Sequence, residues 1–174
     1  MNWTSLLLIS LLTILVACGR AQDVPDRLLT GHAELDQKLA RMVTADSLAL
    51  SAREAANLDG AAFLDAREPE EYGVSHLPGA IPLGYDEPDF DLLNGMDLDR
   101  PLVVYCTVGY RSERMAERLR EVGFRRVYNL FGSIYAWKLA GLPVEDARGT
   151  TDRIHTYNRK WGSYAPDSIG VKVW

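Results

Sequence analysis

Cysteine and histidine are scarce in this chain. Its two cysteines, Cys18 and Cys106, leave no room for a disulfide framework. Its three histidines are scattered and form no metal-ligand spacing, so neither a metal nor a cofactor is expected. Positive charge is not in excess: 19 Lys and Arg against 24 Asp and Glu leave a net charge of −5. That balance argues against a general nucleic-acid binder. At 174 residues the chain suits one domain with a real core and is too short for two of ordinary size. What remains, 47% hydrophobic and 25% charged, is ordinary for a globular protein.

Long hydrophobic runs are also lacking, with one exception. Leu6 to Ala17 is almost unbroken, too short to span a bilayer comfortably, and has the length of a signal-peptide core. It ends in Leu15-Val16-Ala17-Cys18-Gly19, which resembles the bacterial lipobox, where the cysteine is lipidated and becomes the first mature residue. This predicts a signal peptide over 1–17 and a lipid-anchored tether over 18–32, polar and carrying Pro25. The domain would then face the periplasm or the cell surface, held to a membrane through Cys18. Met1 to Ser5 has no Lys or Arg, which departs from the usual positive start. An ordinary cleaved signal and an uncleaved anchor are the alternatives, and both also place the domain outside the cytoplasm. With Cys18 acylated, Cys106 would be the only thiol, with no internal partner to trap it in an oxidising compartment.

Strand and helix signals alternate beyond that point. Ala33 to Val43 places Leu35, Leu39, Met42 and Val43 on one helical face, an N-terminal extension over 33–46. Ser47 to Leu50 reads as a short strand, and Ser51 with Glu54 as a capping box opening a helix to about Leu58. Ala61 to Arg67 is a buried strand ending in charge, and Glu68 to Tyr72 a helical turn with its acids first. His76 to Leu83 turns into a short strand, Tyr85 to Asp99 is an acidic solvated stretch, and Arg126 to Phe131 is another strand. Gly132-Ser133 opens a helix to about Ala140, and Gly141-Leu142-Pro143 stops it. The alternation predicts an α/β domain with a mainly parallel sheet and helices on both faces.

Pro101 to Tyr105 is a further apolar strand, and a helix follows from Glu113 to Val122. Between them lies Cys106-Thr107-Val108-Gly109-Tyr110-Arg111-Ser112. Ligands of parallel sheets bind outside the carboxyl ends of strands, and Cys106 sits at such an end. A loop over a helix N-terminus turns backbone N–H groups inward and adds the positive end of the dipole, which lowers a thiol pKa and holds an anion beside it. Gly109 permits a crowded turn, and Arg111 adds a planar fork suited to an oxyanion. A buried inert cysteine would be the plainer reading, but Gly, Arg and Ser are odd companions for a thiol that only packs.

The chain resembles a single-domain rhodanese. Leu64-Asp65-Ala66-Arg67-Glu68-Pro69-Glu70-Glu71-Tyr72 is similar to that family's first signature, and His76-Leu77-Pro78-Gly79-Ala80-Ile81 to its second. Tyr105 to Ser112 resembles its active loop, and Gly132-Ser133-Ile134-Tyr135-Ala136-Trp137 its closing signature. The resemblance covers 47–144. It implies a doubly wound, five-stranded mainly parallel sheet, and sulfur transfer through a persulfide on Cys106. The partners it implies are a small anionic donor such as thiosulfate and a thiol or cyanide acceptor. The loop Thr107, Val108, Gly109, Tyr110, Arg111 and Ser112 would bind substrate, with Arg111 on the sulfonate oxygens. Asp65, Arg67 and His76 are expected to support the site structurally. Four residues separate Cys106 from Arg111, one fewer than cysteine phosphatases need to encircle a phosphate, which disfavours a phosphatase or arsenate reductase. A carrier or sensor of sulfane sulfur without fast turnover would use the same cysteine.

Residues 145–174 lie outside the resemblance. Ile154, Tyr157, Trp161 and Tyr164 share one helical face, which predicts an amphipathic helix packed on the domain. A wall or lid near the active site is the sharper alternative.

Overall fold

The computed structural model describes residues 21–174. Cys18 and the apolar run before it lie outside the described residues. Among those described, no helix is long and apolar enough to cross a membrane.

Five strands form one parallel sheet: β1 (Ala49–Leu50), β2 (Ala62–Asp65), β3 (Ile81–Pro82), β4 (Leu102–Tyr105) and β5 (Val127–Leu130), in the spatial order β1-β5-β4-β2-β3. The expected doubly wound fold is therefore present. The central strand, Leu-Val-Val-Tyr, is buried at every position because helices cover both faces of the sheet. Successive side chains of β4 alternate between two cores. Val103 and Tyr105 join Leu39, Phe131, Ile134 and Trp137 on one face, while Leu102 and Val104 join Leu64, Met115, Leu119 and Phe124 on the other.

The covering helices are α1 (Ala33–Leu39), α2 (Ala52–Ala56), α3 (Pro69–Val74), α4 (Tyr110–Glu121) and α5 (Ser133–Leu139). The capping box at Ser51 forms as expected, with the Ser51 hydroxyl accepting from Glu54 N–H. Buried Ser112, Met115, Ala116 and Leu119 give α4 its inner stripe. That helix begins three residues earlier than its sequence periodicity indicated. Gly109, at φ 117°, makes a left-handed turn that leads straight from the loop into the first helical residue, Tyr110.

Helix α1 ends at Leu39, short of Val43, and the chain continues as turns. The Gln22 side chain donates to Val43 O, and Thr44 N–H donates to Glu113 Oε1 at 2.9 Å, so this segment is tied to the domain. In the stretch read as a tether, Leu28 is buried, and Arg27 donates to Ala49 O and pairs with Glu54. Through Gln22, Arg27 and Leu28 that stretch is fastened to the domain.

The C-terminal segment is not the amphipathic helix that its spacing indicated. It forms β6 (Val144–Asp146), β7 (Gly149–Thr151), β8 (Arg153–His155), the single turn α6 (Arg159–Gly162) and β9 (Val171–Val173). Strands β6 and β7 make an antiparallel pair, β8 and β9 a parallel one. The apolar residues whose spacing fits one helical face are divided among these pieces: Ile154 is buried on β8, Tyr157 sits in a left-handed turn at φ 64°, and Trp161 lies on α6. Asn158 explains the break, because its side chain accepts from Trp161 N–H and so starts a new helical turn.

Candidate active site

Cys106 stands immediately after β4, the central strand, at the carboxyl end of the sheet. It is buried, and it forms the floor of a cavity of about 370 Å³. Gly109 N–H points at its sulfur, 3.2 Å from Sγ, and the hydroxyls of Ser112 and Ser133 lie 3.6 and 3.9 Å away. These groups are held in turn. Ser112 donates to Asn129 Oδ1 at 2.7 Å, and Asn129 Nδ2 donates to Gly109 O at 3.1 Å. Ser133 Oγ accepts from Cys106 N–H at 3.0 Å and donates to Leu130 O at 3.1 Å. Ser133 achieves this from a left-handed backbone at φ 49°, a conformation that costs a non-glycine residue about 1–3 kcal/mol. Gly109 suits this place because at φ 117° a side chain would be strained, and its Cβ would press within 3.2 Å of the Val43 side chain.

Burial is the largest influence on the Cys106 thiol and pushes its pKa up. The Arg111 charge, the Ser112 N–H and hydroxyl, and the Gly109 N–H act against it, and together they bring the thiol below its ordinary value of 9.0. The loop is therefore built to favour a thiolate.

Arg111 is a half-buried cation that is already matched. Nη1 and Nη2 meet the two carboxylate oxygens of Glu71 at 2.6 and 2.7 Å, a bidentate pair, and Nη2 also donates to Thr107 Oγ1 at 3.1 Å. Burial raises the Glu71 pKa, but the hydrogen bond and charge of Arg111 outweigh it and hold the carboxyl below the usual range. The fork that the sequence aims at a sulfonate is thus engaged by a protein carboxylate. Glu71, absent from the expected site residues, is the group that sequence reasoning missed. Its only signal was an acidic residue at the third position of a short helix that follows a buried strand.

Asp65 and Arg67 lie side by side with no exposed side-chain surface. Arg67 Nε donates to Asp65 Oδ1 at 2.9 Å, and Nη2 donates to Oδ2 at 2.7 Å and to Ser75 O at 2.6 Å. Tyr105 adds a 2.6 Å hydrogen bond from its hydroxyl to Asp65 Oδ2 and accepts from Leu77 N–H. Burial, then the Asp65 charge, push the Tyr105 pKa well above the ordinary phenol, so it stays a donor. Neither Asp65 nor Arg67 lines the cavity. Asp65 pairs with Arg67 and Glu71 with Arg111, and through their charges Arg67 also acts on Glu71 and Arg111 on Cys106. His76 stands apart from the cavity. Its ring stacks on Tyr72 at 3.8 Å, Nδ1 lies 3.0 Å from Tyr72 O, and its backbone pairs with Glu145.

The cavity walls come from several segments. Met42 belongs to the N-terminal extension, Tyr85 and Asp86 follow β3, and Tyr157 and Trp161 belong to the C-terminal segment. The guanidinium of Arg111 sits 5.3 Å from the Tyr157 ring centre. Among the described residues no cluster of His, Cys, Asp and Glu could hold a metal.

A family model for the Rhodanese-like domain matches residues 48–140. The chain is 36% identical over 93 residues to the thiosulfate sulfurtransferase GlpE of Pseudomonas fluorescens, covering 53% of this chain and 84% of that protein. It is 34% identical over 91 residues to the GlpE of Actinobacillus succinogenes, covering 52% and 81%. The crystal structure of a thiosulfate sulfurtransferase from Pseudomonas aeruginosa superimposes with a TM-score of 0.52 at 24% identity, over 80% of this chain and 26% of that one, a likeness of fold.

Proposed function

The chain belongs to the rhodanese-like domain family, and from that premise we propose that it is a sulfurtransferase working through a persulfide on Cys106. The observation that carries this reading is the buried Cys106 sulfur, met by the Gly109 N–H and held below its ordinary pKa at the floor of a cavity. The Cys106 thiolate attacks the outer sulfur of a sulfane donor. With thiosulfate, the sulfur–sulfur bond breaks and its electron pair leaves with sulfite, and the transferred sulfur stays on Cys106 as a persulfide anion. A nucleophile then attacks that outer sulfur and returns the electron pair to Sγ. Cyanide would leave as thiocyanate, and a thiol as its own persulfide. Both steps place negative charge on sulfur beside Gly109 N–H and the α4 N-terminus, where preorganised donors stabilise it without rearranging. Arg111 contributes its field to that sulfur, while Glu71 holds it in place.

Mass spectrometry of protein mixed with thiosulfate or inorganic polysulfide should show one added sulfur on the peptide carrying Cys106. Cyanide should remove it and release thiocyanate, and Cys106→Ser should abolish both. Failure of folded, reduced protein to take sulfur from either donor would defeat the reading. An adduct that neither cyanide nor any thiol discharges would instead favour a carrier or sensor. Phosphate-ester hydrolysis lost in Cys106→Ser would show that the loop admits phosphate after all.

We also propose, from residues 15–19 alone, that Cys18 is acylated and anchors the domain to a membrane outside the cytoplasm. Labelled fatty acid should enter the protein, and labelling that persists in Cys18→Ser would remove the claim.

A further inference from the structure

The cavity over Cys106 is larger and differently charged than a small inorganic anion requires. At about 370 Å³ it falls within the usual range for organic ligands, roughly 300–1,000 Å³. Most of its wall is apolar or aromatic: Met42, Val108, Tyr85, Tyr110, Tyr157 and Trp161 all face it. Its charged lining comprises Glu68, Asp86 and Arg111, and both forks of Arg111 are taken by Glu71. Glu68 Oε1 accepts from Asp86 N–H at 3.3 Å, which keeps the two acids on one side of the mouth. Arg114, a cation outside the cavity, is stacked 3.6 Å from the Tyr110 ring centre and donates to Tyr110 O. Among the described residues Arg111 is the only cation lining the cavity, and Glu71 matches its charge, so Glu68 and Asp86 leave the mouth with an excess of negative charge.

The outer wall is also a built feature. Tyr157 occupies a left-handed backbone at φ 64°, where a non-glycine residue persists only if its surroundings impose it. His155 supplies one such constraint by accepting from Tyr157 N–H through Nδ1 at 3.1 Å. Asn158 caps the turn that carries Trp161, and Lys38 lies 5.3 Å from the Trp161 ring centre. All of these residues lie outside the matched span of 48–140. Strain and capping are thus spent on holding two aromatic rings over a thiol.

We propose that the sulfur carrier served by this site is an organic thiol with an aromatic or aliphatic body and a neutral or cationic group, its body met by Tyr157 and Trp161 from outside the family span and its charge by Glu68 and Asp86 within it. The inference rests on the sulfur-transfer reading. As donor, the carrier arrives as its hydropersulfide: the Cys106 thiolate attacks the outer sulfur, the sulfur–sulfur bond breaks, and the carrier leaves as thiolate. As acceptor, the carrier's thiolate, its proton already lost to solvent, attacks the persulfide on Cys106 and departs as a persulfide. In both directions the body lies against Tyr157 and Trp161 and a cationic end meets Glu68 and Asp86, with aromatic faces adding cation–π attraction.

Three thiols of one shape test this: benzyl mercaptan, its 4-aminomethyl derivative and its 4-carboxy derivative. Calorimetric binding to the Cys106→Ser protein, in which no transfer can occur, reads the cavity alone. The cationic thiol should bind at least tenfold more tightly than the anionic one, with the neutral thiol between them. Asp86→Asn should narrow that gap several-fold, and Trp161→Ala should weaken all three about tenfold. Discharge of polysulfide-loaded Cys106 by the same thiols should follow the same order. Equal or tighter binding of the carboxy derivative, or no loss in Trp161→Ala shown to be folded by circular dichroism, would overturn the inference even if Cys106 loads and discharges normally. Failure of Cys106 to load would strike the transfer reading, and the binding series would still decide what the cavity selects.

Discussion

The floor and the outer wall of the site are built in opposite ways. The floor lies within residues 48–140 and is polar and largely buried, with Asp65 paired to Arg67 and Glu71 to Arg111. The outer wall takes Met42, Tyr157 and Trp161 from outside that span, beside Tyr85 and Tyr110 from within it; it is largely aromatic and partly exposed, and Tyr157 and Trp161 stand on a turn and one helical turn. Hydrogen-bonded charges define one geometry closely, as a reacting sulfur requires. Aromatic surfaces on short elements accept many bodies of similar shape. On the proposed reading, the floor performs the transfer and the outer wall helps choose the partner's body.

That contrast can be broken most forcefully at the floor. Asp65→Asn leaves Arg67 as an uncompensated buried charge, which should cost about 3–5 kcal/mol of stability in urea unfolding. A loss under about 1 kcal/mol would mean that the buried pair braces nothing. Glu71→Gln should release Arg111 into the cavity. One new charge-assisted contact to a sulfonate is worth about 1.5–3 kcal/mol, so kcat/KM for thiosulfate relative to benzyl hydropersulfide should rise about tenfold or more. An unchanged ratio would show that Arg111 never reaches the donor.

Smaller effects sharpen the comparison. The Cys106 thiol pKa is lowered on folding, so the folded state binds fewer protons than the unfolded state between the two values. The resulting stability is present above the unfolded thiol pKa and is lost as pH falls through the folded one. Unfolding free energy should show this slope in the native protein and lack it in Cys106→Ser, and iodoacetamide alkylation should titrate with a midpoint below 9.0. A midpoint at or above the ordinary value would remove the thiolate argument. The smallest effect belongs to the wall. Tyr157→Gly relieves left-handed strain of about 1 kcal/mol and loses a cation–π contact worth about 0.5–1 kcal/mol. The denaturation midpoint should barely move, while binding of the benzyl thiols falls. A large stability loss would show that the wall is also part of the core.

The floor was largely legible in the sequence, and the wall was not. Short continuous apolar runs and a period of 3.6 locate β2, β4, β5 and α4, because buried strands and one-sided helices each leave a local trace. The Cys106 loop was legible for the same reason, since Gly109, Arg111 and Ser112 are neighbours in the chain. The Arg111–Glu71 pair was hidden because it joins residues 40 positions apart. Nothing in Glu71's own neighbourhood distinguishes it from Glu70, which is exposed. In the C-terminal segment, helical spacing among Ile154, Tyr157 and Trp161 suggested one face, but tertiary contacts prevailed: β8 pairs with β9, and Asn158 caps a separate turn. Placing Tyr157 and Trp161 over Cys106 needed the pairing of 153–155 with 171–173, which no local pattern reports.

That pairing sets a timetable. Arg153, Ile154 and His155 align with Val171, Lys172 and Val173, and Thr156 N–H donates to Val173 O at 2.7 Å, so the turn bearing Tyr157 is tied to residues made well after the sheet. Gly170 admits no side chain at the join, because a Cβ there would fall on Asp152 O. As the chain grows, the sheet and the thiol are complete well before the rings that stand over them. A nascent protein stalled short of Val171 would hold the Cys106 loop under an open mouth, and the rings would settle over it only once residues 171–173 had been made.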